Sequence, residues 1–249
     1  MSAQVDSVSG GTVHGPPSSM PVMDLVTSNI NSWPTDPTYH HLLATAATTG
    51  RCPVWVLDDR TDPPADRAAI NAELDTRDPN DVLSARWPGG GCPCCDERLD
   101  PFRDGFPGLL QRPAVAPEEA SVHAAHVVAG TPYLAEPDLV DARRPADVPA
   151  VVGWMGSYNC WQDTVGMSAV LRSWETRFGA VLYRMTNSTL ELAVAAPPVT
   201  EEECLHVAAE HIAFCWDAFE TYTGQMSTDT LRQYARRLRG TSRWRFWWD

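Results

Sequence analysis

Proline placement sets the strongest limit on how this chain can fold. Of its 21 prolines, all but Pro197 and Pro198 lie at or before Pro149. Each proline removes a backbone donor and fixes φ, so long helices and central strands are hard to build in the front of the chain and easy in the rear. Three regions are expected. Residues 1–23, rich in Ser, Gly, Pro and Val without a sustained period, form a disordered lead; residues 24–146 form a loop-rich front; residues 147–249 form a compact module. With 249 residues and 43% hydrophobic content, the chain can bury one good core, or one core and a looser partner domain.

Charge follows the same division. Up to Ala150 there are 21 acids against 10 arginines, a net of -11; from Val151 onward 11 acids face 9 arginines, a net of -2. Phosphates are repelled by such a front, so nucleic-acid binding through the bulk field is disfavoured and a basic partner is accommodated. Arg232, Arg236, Arg237, Arg239, Arg243 and Arg245 form a local exception, read either as a solvated helix face or as a small anion-binding patch. The absence of lysine reads as coding bias of a GC-rich genome. No basic, apolar leader opens the sequence, and no apolar run reaches the roughly 18 residues that span a bilayer. A cytoplasmic location without membrane association is the expectation. An odd cysteine count of seven then favours reduced thiols or metal ligands over a disulfide framework.

Periodicity places the elements. His40, Leu42, Leu43 and Ala46 predict a helix stopped at Gly50, Cys52 to Leu57 a strand, Ala65 to Leu74 a helix, and Glu118 to Val128 another. Arg86 to Arg112 reads as a long irregular connection. Val148 to Trp154 suits a strand, and Met167, Val170, Leu171, Trp174 and Phe178 a helix stopped at Gly179. Val181, Tyr183 and Met185 alternate with Leu182 and Arg184, then Leu190, Leu192 and Val194 alternate across Asn187-Ser188, predicting a hairpin. Thr200 and Glu203 make a capping-box signal for a helix to about Asp217. Leu231 to Leu238 predicts a helix ended by Gly240, and Trp244 to Trp248 a final strand. The resulting order predicts an α+β fold, a ferredoxin-like β-α-β-β-α-β sandwich behind a loop-rich α/β front.

Several segments carry a resemblance: Gly153-Trp154-Met155-Gly156-Ser157-Tyr158-Asn159, the run from Leu171 to Ala180, Ala193 to Pro198, His206 to Cys215, and the block from Trp244 to Asp249. Together, in this order, they resemble the bacterial family catalogued as domain of unknown function 4253 (DUF4253), common in actinobacteria. The resemblance covers about Asp147 to Asp249 and extends weakly to Trp55–Asp59 and Phe106–Leu109. Members usually continue the Phe-Cys pair with Pro-Asp-Asn, whereas Cys215 here is followed by Trp216-Asp217-Ala218, and the Cys92-Pro93-Cys94-Cys95 cluster is foreign to the family. The resemblance implies no activity, cofactor or catalytic residue, so function rests on side chains.

On a helix, Cys204, Ala208, His211 and Cys215 share a narrow stripe, while His206, Glu210 and Asp217 fall on the opposite, solvated side. Cys204 and His211 are two turns apart, roughly 10 Å along the axis, too far to bind one metal directly. His211 and Cys215, one turn apart, are candidate catalytic or ligating groups, to be completed by Asn159, Cys160 and Asp163 from the loop before the next helix. The competing reading is a core histidine hydrogen-bonded to backbone or carboxylate. Cys92, Cys94 and Cys95 with His123 and His126 are candidate zinc ligands, with Cys160 a further one; thiol redox chemistry and ordinary loop cysteines are the alternatives. The tryptophans of the rear read as core and sheet face, or as an indole-lined pocket.

The usual nucleotide, serine-hydrolase, zinc-protease and EF-hand patterns are missing from the sequence. Two functions are therefore expected as rivals. One is a non-catalytic binding or interaction protein, regulatory or immunity-like, for a basic protein or a small molecule. The other is a metal- or thiol-dependent enzyme built on His211 and Cys215.

Overall fold

The computed structural model describes residues 36–58, 60–89, 97–132, 134–219 and 230–248. Helix α1 (Pro37–Thr49) starts where the Asp36 side chain accepts from the Tyr39 N–H at 3.0 Å and stops at Gly50, whose φ of 71° is left-handed. Strand β1 (Arg51–Leu57) follows at once. Helices α2 (Arg67–Thr76) and α3 (Pro79–Arg86) are each opened by an aspartate cap, and α4 (Pro117–Ala129) by a proline in its first turn. After β2 (Asp138–Asp141) come the short helix α5 (Val148–Val152), α6 (Thr164–Phe178), the hairpin β3 (Ala180–Thr186) and β4 (Thr189–Val194), α7 (Glu201–Phe214), α8 (Leu231–Leu238) and β5 (Arg243–Trp247).

The fold is mixed α+β around a five-stranded sheet of order β2-β1-β3-β4-β5. β1 runs parallel to β3, with Trp55 opposite Arg184 and Leu57 opposite Thr186; the other neighbours are antiparallel. Helices cover both faces. α1, through Tyr39, and α4 lie over Trp55, Val181, Tyr183 and Ala193, and α6 and α7 lie over Val54, Leu182, Leu190, Leu192, Trp244 and Phe246. The sheet thus crosses the composition boundary at residue 146, because its parallel partner strand comes from the front of the chain. Among the described residues no helix is long and apolar enough to cross a membrane.

The ferredoxin-like order is not what the chain adopts. Where the first strand was expected, Val148–Val152 forms a helix and Trp154 only an isolated bridge with Thr61: Pro149 occupies the first turn of the helix and Gly153 ends it at φ 60°, local signals that outweigh the β-branched run. The strand that runs parallel beside β3 is instead β1, from the front of the chain. Alternation in β3 also fails past Tyr183. The register shifts between Leu182 and Arg184, and this bulge swings Met185 into the α6 face with Leu182. Of the long connection before α4, residues 90–96 lie outside the described residues; residues 97–116 hold a 3-10 turn at Glu97–Leu99 and are otherwise irregular. α7 ends at Phe214, short of Asp217, and the capping box at Thr200 and Glu203 is formed.

Gly153 also carries a close approach. Its carbonyl accepts from the Asp62 N–H at 2.9 Å, and a Cβ at this position would meet the Asp62 carbonyl oxygen at 1.9 Å. Gly50 shares the positive φ but has nothing within 4 Å of such a Cβ. Gly50→Ala is therefore expected to destabilise by about 1 kcal/mol from conformation alone. Gly153→Ala should lose at least about 2 kcal/mol more, because backbone must move. Urea unfolding of the two variants checks this, and equal losses would contradict it.

Candidate functional site

The α7 face singled out in the sequence is core. His211 is 0% exposed, with the rings of Trp244, Phe246 and Trp174 at 4.5, 4.8 and 5.0 Å between centroids. Its Nδ1 lies 3.1 Å from the Tyr234 hydroxyl, and its Nε2 is buried without a hydrogen-bond partner. Burial pushes the imidazole pKa down to about 3, so the ring is neutral. Cys215 closes the helix: its N–H donates to the His211 carbonyl at 2.8 Å and its thiol to the Trp247 carbonyl at 3.0 Å.

The partners proposed for His211 sit elsewhere. Asp163 caps α6 by accepting from the Gly166 N–H at 2.7 Å and pairs with Arg77; its groove, also lined by Arg86 and Trp161, is not lined by His211 and meets the ring cluster only through the packing of Trp161 on Phe214. Asn159 is exposed in a depression of about 320 Å³ shared with Tyr158, Ser188 and Trp247. Cys160 is exposed. What convergence there is centres on Arg86, which stacks over Trp161 at 4.1 Å, donates to the Ala213 carbonyl at 3.2 Å and lies in the field of Cys215, Cys160 and Asp163. His123 and His126 are both buried on α4, where His123 Nε2 and His126 Nδ1 lack hydrogen-bond partners. Cys92, Cys94 and Cys95 lie outside the described residues, and among the described residues no three His, Cys, Asp or Glu side chains are grouped to hold a metal.

Glu210, expected on the solvated side of α7, is 0% exposed. Arg177 from α6 grips both of its oxygens at 2.8 and 2.6 Å, Trp174 Nε1 donates at 2.7 Å and the Leu110 N–H at 2.9 Å. Such a pair is tolerated in a core only when both ions are fully hydrogen-bonded, and these four donors meet that demand. The helical projection failed because it sees one helix, while the neutralising guanidinium comes from another. His206 stays half-buried against the Phe102 ring.

A second ionic cluster borders a cleft. Asp147, 0% exposed, is held bidentately by Arg172, and Asp75 takes both Arg143 and Arg172, which together hold its pKa down to about 2. Glu175, one turn beyond Leu171 on α6, faces Arg144 at 3.6 Å, too long for a hydrogen bond, and its buried Oε2 has no hydrogen-bond partner. Burial raises its pKa to about 7, with Asp147 adding to the rise and Arg144 opposing it. The neighbouring Cys52 thiol is pushed up to about 12, chiefly by burial. Beside this pair lies a cleft of about 460 Å³ walled by Leu43 and Ala47 of α1, Val115 and Ala120 at the start of α4, Pro145 and Val181. Sequence reasoning passed over Glu175 and Arg144. The available signal was the i, i+4 spacing from Leu171 to Glu175, which puts a carboxyl on the flank of the buried stripe.

Residues 138–249 match the model of the family described as Domain of unknown function (DUF4253). No curated protein and no solved structure matches the chain. The DUF4253-like segment starts at β2, nine residues earlier than the resemblance suggested, and includes Arg144, Asp147, Glu175, Arg177 and Glu210. The α1 and α4 wall of the cleft precedes it.

The neutral His211 has a pH signature. The folded ring binds a proton only near pH 3, whereas an unfolded histidine does so near 6.5. Unfolding therefore takes up a proton between these values, and stability present above pH 6.5 is lost as pH falls towards 3. His211→Phe keeps an aromatic ring and removes the titration. Its urea midpoint should fall less than that of the unaltered protein between pH 7 and 4.5; identical slopes would contradict a closed, neutral ring.

Proposed function

We propose that this protein is a non-catalytic binding protein that seats an amphipathic small molecule in the cleft beside Glu175 and Arg144. The observation that carries the reading is the cleft itself: an apolar space of about 460 Å³ whose polar end is a carboxyl with a buried oxygen lacking any hydrogen bond. Ligand pockets typically combine a volume of roughly 300–1,000 Å³, mostly apolar walls and a few convergent polar groups. Its alanine-rich walls, Ala44, Ala47, Ala114 and Ala120, leave the space that larger side chains would fill.

Binding is favoured over chemistry at His211 by two features. The ring is closed off from solvent and neutral, and the Cys215 thiol is engaged with the Trp247 carbonyl. A general base needs reach to a proton on a substrate, which a residue of 0% exposure lacks. The other partner class, a basic protein, rests on the formal charge of -13 and has no comparable cavity behind it.

Ala47 is exposed on α1 at the cleft wall, so Ala47→Trp fills the space without entering the core. A thermal-shift series with short-chain amphiphiles of anionic, neutral and cationic head group tests the reading. At least one head group is expected to raise Tm saturably in the unaltered protein and to lose that effect in A47W, whose own Tm stays within a few degrees. Equal responses of the two proteins to all three would overturn it.

A further inference from the structure

Resting on the binding reading, we infer that the ligand is a monocarboxylate with an apolar tail, its carboxylate held by Arg144 and by a proton carried on Glu175. The argument starts from which charges at the polar end are already neutralised. Arg143 is held bidentately by Asp75, and Arg172 spans Asp147 and Asp75. Asp147 is covered by Arg172. From β1, Cys52 presents a neutral thiol, and from α4, Glu118 stands at the mouth with its side chain in solvent, 3.3 Å from His40, so water rather than a partner screens its charge. That leaves Arg144 and Glu175, 3.6 Å apart without a hydrogen bond between them, as the facing pair at the inner end of the cleft.

Glu175 exists in two forms near neutrality, because burial lifts its pKa to about 7. Ionised, it neutralises Arg144 and the cleft end carries no net charge. Protonated, it becomes an O–H donor beside a guanidinium, so two donors converge and the net charge is positive. Only the second form offers anything to a ligand head group that Arg144 does not already satisfy. A carboxylate uses it fully, one oxygen accepting from Arg144 and the other from the Glu175 O–H. An ammonium head would have to displace Arg144 from its carboxyl, and a hydroxyl would use one donor and leave the other. The anion in turn raises the Glu175 pKa further, so above pH 7 each ligand that binds brings one proton from solvent. The Ala44 and Ala47 edge of α1 and the Val115 and Val181 floor receive the tail.

Calorimetry on the full chain with octanoate, octylamine and octanol, at pH 6 and pH 8.5 in buffers of different ionisation enthalpy, tests this. Octanoate is expected to bind at least tenfold tighter than either analogue at pH 6. Its binding should take up close to one proton at pH 8.5 and much less at pH 6, with affinity falling severalfold to tenfold per pH unit above 7. E175Q, whose amide N–H replaces the O–H donor, should keep octanoate affinity at pH 6 and lose both the proton uptake and the pH dependence. R144Q should weaken octanoate at least tenfold while leaving octanol unchanged, with circular dichroism confirming the fold. Tighter binding of octylamine or octanol would overturn the carboxylate assignment and leave the binding reading standing. Proton uptake that persists in E175Q would overturn the role of Glu175, and failure of all three ligands to bind would overturn both readings.

Discussion

The buried pair of Arg177 and Glu210 ties together the elements on which the rest of the structure rests. It joins α6 to α7 beneath the sheet, and its geometry recruits the chain between α3 and α4 as well. The Leu110 N–H donates to Glu210 while the Leu110 carbonyl accepts from Arg177 at 3.0 Å, so the irregular stretch around Leu110 is fastened at one residue. Further along, the Val115 N–H donates to the Thr176 carbonyl at 2.9 Å. These two ties lay the segment across the end of α6 and deliver Val115 and the start of α4 to the side of Glu175. Replacing such a pair by apolar residues is often neutral in stability, whereas removing one partner leaves an uncompensated buried charge. Its value here is positional: it fixes where the cleft wall begins.

On the far side of α6 the demands are different. Glu175 and Arg144 are close enough to feel each other and too far apart to bond, whereas Asp147 and Glu210 each have both oxygens held by an arginine. Burying a carboxyl without that grip disfavours its charged form, which is why its proton is held towards neutrality. His211 shows the same desolvation in a closed setting. Packed among Trp174, Trp244 and Phe246, it is held neutral and serves as an aromatic core residue with one tie to Tyr234. The contrast between the two groups is access: one borders a cleft and the other borders nothing.

The sequence shows an element plainly where local chemistry decides it. Gly50 and Gly179 stop helices in left-handed conformations, and Thr200 with Glu203 forms the capping box because each satisfies a donor that the other's helix turn exposes. Other features of the fold are decided by distant groups, which a local pattern does not contain. Val148 to Val152 looked like a strand on β-branched content, yet the strand beside β3 comes from Arg51–Leu57, a pairing that no local period encodes. Met185 left its expected face because of a bulge. Glu210 was assigned to solvent since its neutralising partner lies 33 residues away on another helix. Of the candidate site, the histidines and cysteines drew notice by residue type, while Glu175 and Arg144 matter through what they lack, a hydrogen bond, and that is a property of three-dimensional placement.

A carboxyl held beside an apolar cleft without a full complement of donors is the central claim, and it can be read at the atom concerned. A titration of the Glu175 side-chain carboxyl by carbon-13 NMR, assigned through E175Q, measures it directly. A midpoint near 7 is expected from the burial of this group. A midpoint near 4.5, the value of an ordinary glutamate, would contradict the account.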